Sequence, residues 1–216
     1  MSERSSRSEP AWERAARRLI DVVGSAVLLF LTAPVMLVFA GWIRLDSPGP
    51  VLHRQQRVGR GRRPFTFYKF RSMVVGGDDA AHRALIAAEL RGEDTSQDGS
   101  TKIGKDPRIT RAGRFLRTTS LDELPQLFNV LRGDMSMVGP RPCLEWEADM
   151  FPTRFAARFD VKPGLTGLWQ VRGRSTLGTL EMLELDVEYV RRRGLRLDLD
   201  ILGATLPTLL RSDGAR

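Results

Sequence analysis

The sequence predicts an α/β fold, mostly helical with a small sheet, forming a compact domain behind an N-terminal re-entrant membrane helix-hairpin. Three observations predict it. The chain has 216 residues, 42% of them hydrophobic, which supplies one core at about the globular average. An uncharged run of 22 residues extends from Val22 to Ile43. After it, one stretch alternates like a strand and four carry helical spacing or helix boundary signals.

Composition narrows the chemistry. A formal net charge of +8 and a pI near 10.6 favour anionic partners: nucleic acid, lipid headgroups or phosphorylated substrates. The single cysteine, Cys143, excludes an internal disulfide and a cysteine-based zinc site, and it fits a reducing compartment. Two histidines, His53 and His82, argue against a histidine metal cluster or a Ser-His-Asp triad. Carboxylate and arginine chemistry remains.

Taken in order, the chain divides at residues 14 and 44. Residues 1–14 form a tail whose first ten are polar and serine-rich, with the composition of a disordered terminus. Residues 15–44 hold the apolar run, long enough to cross a bilayer and lacking the small-residue cleavage site of a signal peptide. Both its flanks are basic, with Arg14, Arg17 and Arg18 before it and Arg44, Arg54, Arg57, Arg60, Arg62 and Arg63 after it, and such residues prefer the cytoplasmic side. Pro34 interrupts the run and predicts a bend. The limbs Val22–Ala33 and Val35–Ile43 would measure roughly 18 and 14 Å, each short of a hydrocarbon core of about 30 Å. A hairpin that enters and leaves one leaflet satisfies both flanks, with Thr32 serving backbone groups freed at the bend and Trp42 among headgroups. A straight spanning anchor is the alternative.

Residues 45–210 make the main domain. Asp46-Ser47-Pro48-Gly49-Pro50 is a turn cluster. Val51–Arg63 has arginines spaced as on a headgroup-binding surface. Phe65–Arg71 alternates as a short strand that carries Lys69 and Arg71, either solvated or facing phosphate. Asp78–Arg91 predicts a helix, and Gly92–Ser100 a polar loop.

Ile109–Leu116 and Leu121–Leu131 predict two helices joined at Thr118-Thr119-Ser120. The joint leads into Asp122 and Glu123, adjacent acids ringed by Arg108, Arg111, Arg114, Arg117, Arg132 and Arg141. Ser120 and Glu123 have capping-box spacing, and the alternative reading is a pair of first-turn acids that complement a helix dipole. Against that, Pro125 comes early for a helix begun at Ser120, and a glycine- and proline-locked loop follows with Arg141 in it. A guanidinium on a rigid loop suits phosphate. Residues 163–174 predict a glycine-rich turn, strand and turn. Leu177–Arg193 predicts an amphipathic helix with Leu180, Leu183, Val187 and Val190 on one face. Leu197–Leu210 predicts a segment on the membrane interface or on the core.

The strings KFRSM at 69–73, R-x-T-x-x-G-x-x-L-R at 108–117, SLDELPQLFNVLRGDMSMVGPRP at 120–142 and PGLTGLWQVRGR at 163–174 together resemble the bacterial sugar transferase family. These are small monotopic phosphoglycosyltransferases that start surface-glycan assembly, and the resemblance runs from about Arg17 to about Leu210. It implies transfer of a sugar 1-phosphate from a UDP-sugar to polyprenyl phosphate, releasing UMP, with Mg²⁺, at the cytoplasmic face of a bacterial plasma membrane. It makes the main domain catalytic and strengthens the hairpin reading. Its partners would be the UDP-sugar, polyprenyl phosphate, an anionic bilayer and downstream glycosyltransferases. Nucleic acid is not expected, because the basic residues track the membrane segment and no nucleic-acid motif is present.

By position, Asp122 matches the family's nucleophile and Glu123 its partner and the expected Mg²⁺ ligand. Arg141 matches a phosphate-holding arginine, with Lys69, Arg71, Arg114 and Arg117 as further phosphate candidates. Gln170, Arg172 and Arg174 are donor-binding candidates, as is Thr166. Asp186 matches an acid of an L-D-x-x-Y pattern. Two departures stand out: Ser175 follows Arg174 where the family more often has asparagine, and Ala33 precedes Pro34 where it commonly has serine. Two rivals are weighed beside this reading, direct transfer in a ternary complex and a non-enzymatic basic membrane-tethered module.

Overall fold

A computed structural model describes residues 10–74, 80–93, 95, 108–173 and 177–210. Residues 1–9 of the predicted tail, most of the 92–100 loop, Arg174 and Ser175 lie outside the described residues.

Helix α1, Ala11–Asp46, is 36 residues long and begins inside the predicted tail. Glu13 in its first turn pairs with Arg17 at 3.8 Å, one turn on, so residues 11–14 gain helical contacts that composition did not suggest. The ladder continues through Pro34 as one helix, where two limbs were expected. Pro34 leaves the Phe30 carbonyl without its donor. Thr32 Oγ1 donates to the Leu28 carbonyl at 2.6 Å, a back-bond of the kind that bends helices, rather than to the freed group.

The two ends of α1 pack on the same domain. Near its start, Arg18 donates to the carbonyls of Val130 and Leu131 at 2.9 and 2.8 Å, and Asp21 accepts from Ser136 Oγ and the Met137 amide at 2.9 and 2.7 Å. Near its finish, Ile43 is fully buried with Phe70, Ala112 and Leu116. Between them Phe30, Leu31, Leu37 and Val38 are exposed, and only 6% of the most apolar 18-residue window is buried.

Strands β1, Leu52–Val58, and β2, Pro64–Phe70, pair antiparallel from Leu52 opposite Phe70 to Val58 opposite Pro64. β2 is the predicted strand. β1 falls in the segment expected to be a headgroup surface; its LHRQQRV sequence lacks alternation, and its pairing with β2 supplies what local propensity does not. Gly61 and Arg62 turn the hairpin at positive φ of 64° and 58°.

Helix α2 spans Ala80–Leu90 and α3 Arg111–Thr119. α3 docks through backbone: a Cβ on Gly113 would lie 2.0 Å from the Ser72 carbonyl oxygen. A 3-10 turn at Leu121–Glu123 leads into α4, Gln126–Arg132. The glycine- and proline-rich loop beyond it contains a buried strand, β3, Ser136–Val138, parallel to β4, Gly164–Thr166. Between these strands lies α5, Glu145–Met150, and after β4 comes α6, Leu168–Arg172, a helix where a second turn was expected. Helices α7, Thr179–Arg192, and α8, Leu195–Leu210, complete the chain. Leu183 and Val187 of α7 are buried as the predicted face requires. α8 packs Ile201 into the core and leaves Leu199 and Leu206 outside.

The main core joins Phe67 of β2, Leu127 and Val130 of α4, Met135, Val138, Leu168, Tyr189 and Ile201. Asn129, fully buried, locks α4 to β2 by accepting from the Tyr68 amide at 3.2 Å and donating to the Thr66 carbonyl at 2.7 Å. These bonds fix the middle of α4 against the strand that carries Lys69.

Candidate active site

The chain reverses at Ser120, which closes α3 in the left-handed region at φ 59° and ψ 16°. This geometry rules out the predicted capping box. An N-cap serine needs extended backbone to reach forward, whereas Ser120 sits at the end of the preceding helix and makes no side-chain cap bond. Glu123 is therefore free of that duty and accepts from Arg141 Nη2 at 3.0 Å.

Asp122, half-buried, occupies the middle of the 3-10 turn. Burial, then the neighbouring Glu123 charge, pushes its pKa up to about 6, against the pull of Lys69, Arg117 and Arg141. Lys69 is shifted down, chiefly by burial and further by Arg57, Arg117 and Arg141, with Asp122 opposing. The site thus joins two carboxylates to cations from three separate places in the chain: β2, α3 and the loop after β3. Below a pH of about 6 Asp122 holds its proton, and above it the turn presents a carboxylate held among cations.

The predicted residues divide clearly. Asp122, Glu123, Lys69, Arg117 and Arg141 come together. Arg114 is exposed on the outer side of α3 and is not among the leading charges on Asp122. Arg71 corrects the expectation of a phosphate ligand: it is buried and donates to the carbonyls of Pro48, Ile43 and Ser47 at 2.7, 3.1 and 2.6 Å, closing the C-terminal end of α1. Arg172 pairs with Glu188 at 3.1 Å on the surface of α6 and α7. Gln170 donates weakly to the Leu165 carbonyl at 3.4 Å. Thr166 is buried against Thr205 at 2.9 Å. Asp186 is buried in an ion pair with Arg158 at 2.9 Å, not on an exposed helix surface. Arg174 lies outside the described residues.

Arg57 is the residue the sequence did not single out for the site. It lies 5.2 Å from the Phe67 ring centroid, donates to the Pro142 carbonyl at 3.0 Å, and its charge acts on Lys69. Only the pairing of β1 with β2 brings it there, so no local pattern announces it.

Among the described residues, no group of three or more His, Cys, Asp or Glu is placed to hold a metal. Two carboxylates remain, the small donor set Mg²⁺ accepts when substrate phosphates and water complete its shell.

A dyad of this kind, set among cations and carried by a domain with one exposed apolar helix, suits chemistry on phosphate groups. The chain belongs to the bacterial sugar transferase family, whose sequence model matches residues 12–212. It is 44% identical over 207 residues to the UDP-glucose:undecaprenyl-phosphate glucose-1-phosphate transferase of Caulobacter vibrioides, covering 92% of this chain and 71% of that protein. It is 41% identical over 203 residues to the undecaprenyl-phosphate galactose phosphotransferase of Salmonella typhimurium, covering 94% of this chain and 42% of that protein. With the exopolysaccharide production protein ExoY of Rhizobium meliloti the identity is 35% over 200 residues, covering 93% and 88%.

Proposed function

We propose that the protein transfers a sugar 1-phosphate from a UDP-sugar to polyprenyl phosphate, undecaprenyl phosphate in particular, giving polyprenyl-diphospho-sugar and UMP. The reaction would begin an exopolysaccharide, capsule or other surface glycan. The observation that carries this reading is the half-buried Asp122 carboxylate beside Lys69, Arg117 and Arg141. The activities for which the Caulobacter and Salmonella relatives are named supply the substrate class.

In the first step an Asp122 carboxylate oxygen attacks the β-phosphorus of the UDP-sugar. A phosphorus–oxygen bond forms to the aspartate while the bond to the bridging oxygen breaks, and UMP leaves with that oxygen and its electron pair. In the second step a phosphate oxygen of polyprenyl phosphate attacks the same phosphorus and displaces the carboxylate. One anhydride is exchanged for another through a mixed anhydride, so transfer potential is kept. Arg141 binds phosphate through its fork and is held by Glu123. Lys69 and Arg117 oppose the charge that builds on the phosphoryl oxygens. Mg²⁺ held by Glu123 would neutralise the diphosphate and ease departure of UMP.

The reaction is placed at the cytoplasmic face of the bacterial plasma membrane, with α1 dipping into one leaflet. The packing of both ends of α1 on one domain supports this. A spanning helix would leave its two ends on opposite faces of the bilayer, whereas Arg18 and Ile43 both pack on one domain.

The test is the intact mass of the full chain after incubation with Mg²⁺ and a panel of UDP-sugars without lipid acceptor. A gain of one sugar phosphate, absent in Asp122→Asn, is expected and identifies the donor. UMP release only after polyprenyl phosphate is added, with no adduct at any time, would sink the covalent route in favour of direct transfer. Membrane binding without turnover of any donor would leave only the tethered module.

A further inference from the structure

The loop that carries Arg141 is held at four successive carbonyls by four different groups. The Gly164 amide donates to Pro140 at 2.9 Å, Arg158 Nη2 to Arg141 at 2.8 Å, Arg57 Nη1 to Pro142 at 3.0 Å and the Val58 amide to Cys143 at 2.9 Å. Two of these donors are strand amides. The other two are arginine side chains, and each has a buried acid near it: Glu147 3.9 Å from Arg57, and Asp186 2.9 Å from Arg158.

Arg158 is the more completely specified. Its Nε and Nη2 donate to Asp186 Oδ2 at 3.1 and 2.9 Å, and its Nη1 to Cys143 Sγ at 3.1 Å. The rings of Phe151 and Phe159 lie 5.0 and 5.2 Å from its guanidinium carbon. Arg158 and Asp186 have side chains only 5% and 3% exposed. A buried ion pair is weak support for stability, since apolar residues of similar volume often replace one without loss. Its placement therefore calls for another account. It ends on the carbonyl of the one residue in this loop whose side chain reaches the dyad.

We propose that the Arg158–Asp186 pair is a positioning device for catalysis: it fixes the Arg141 backbone so that the Arg141 guanidinium stays on Glu123 beside Asp122. The claim rests on the reading of the dyad as the phosphoryl-transfer site. Neither Arg158 nor Asp186 touches the dyad, so their effect passes through Arg141. Rigid placement of this kind is worth much in rate, because a misplacement of about 1 Å costs up to about 100-fold.

The experiment is a mutant cycle on the full chain in nanodiscs, with Arg158→Met plus Asp186→Leu on one axis and Arg141→Ala on the other. Two quantities are measured at each corner, the kcat/KM for UMP release and the dissociation constant for UDP. The apolar pair is expected to melt within a few degrees of wild type and to lose on the order of 10- to 100-fold in kcat/KM. Introduced into Arg141→Ala, the same apolar pair is expected to cost less than about threefold, because its effect passes through Arg141. Activity of the apolar pair within about threefold of wild type would overturn the proposal, and so would losses that multiply. If the apolar pair does not fold, Asp186→Asn, which keeps the shape, replaces it on the same axis under the same criteria. A wild-type protein that binds UDP but turns over no donor would refute the reaction, while the cycle on UDP binding still decides the positioning.

Discussion

Arg141 and Arg158 each bring a guanidinium to a carboxylate, at 3.0 Å from Glu123 and 2.9 Å from Asp186. The side chains of the first pair are 43% and 23% exposed, those of the second 5% and 3%. Around Arg158 a carboxylate, a carbonyl, a thiol and two aromatic rings take up the guanidinium, which leaves nothing for a ligand. Around Arg141, among the described residues, Glu123 is the one bonded partner, and the side chain keeps the exposure that a ligand needs. Two acids nearby have pKa values pushed up to about 6, but for different reasons. Asp186 is raised by burial alone, against Arg158; Asp122 is raised by burial and by a second carboxylate at its side. A perturbed pKa marks a reactive group only where the geometry also leaves the group open.

Asp122→Asn should break the open region most sharply, with no sugar-phosphate adduct by mass and a rate loss of about 10⁴-fold or more. Arg141→Lys keeps the charge but not the fork, and about 100-fold loss in kcat/KM for UMP release is expected. The closed pair should answer in stability as well as in rate. Arg158→Met alone leaves Asp186 buried without its partner, at about 3–5 kcal/mol, seen as a fall in denaturant midpoint.

The raised pKa of Asp122 adds a pH signature. The folded state holds that proton more tightly than the unfolded chain, so its contribution to stability is full below pH 4 and fades as pH rises to about 6. Asp122→Asn removes the cost of the buried charge. It should melt higher than wild type at pH 7.5, by on the order of 1–2 kcal/mol, with the difference shrinking toward pH 4. A variant no more stable at either pH would place Asp122 in better solvated surroundings. The smallest effect is expected of Arg172→Ala, which breaks a solvent-exposed pair with Glu188: within about 0.5 kcal/mol.

How far the sequence reveals the molecule differs between these regions. Asp122, Glu123 and Arg141 stand within one contiguous stretch, so their company is legible before any fold is known. Lys69 needs only the recognisable strand Phe65–Arg71. Arg57 and Arg158 are not legible, because each reaches the loop through tertiary pairing, Arg57 by strand register and Arg158 from a residue 28 positions before its acid. Strands of three residues such as β3 and β4 carry too little periodicity to register, and their parallel pairing is set by residues far apart in the chain. The long helix was legible in its apolar run, but its first turn was not, since Glu13, which pairs with Arg17, lies in a segment that otherwise has the composition of a tail.

Asp21 sets a condition on how the protein is made. The groups that satisfy its carboxylate, Ser136 Oγ and the Met137 amide, lie 115 and 116 residues further along. At about 5–20 residues per second, a ribosome delivers them roughly 6–23 seconds after Asp21. During that interval α1 carries a carboxylate that no finished fold yet shelters, beside its apolar stretch. Synthesis therefore has an order built into it: the helix emerges first, and the contact of its Asp21 with the domain closes only when β3 arrives.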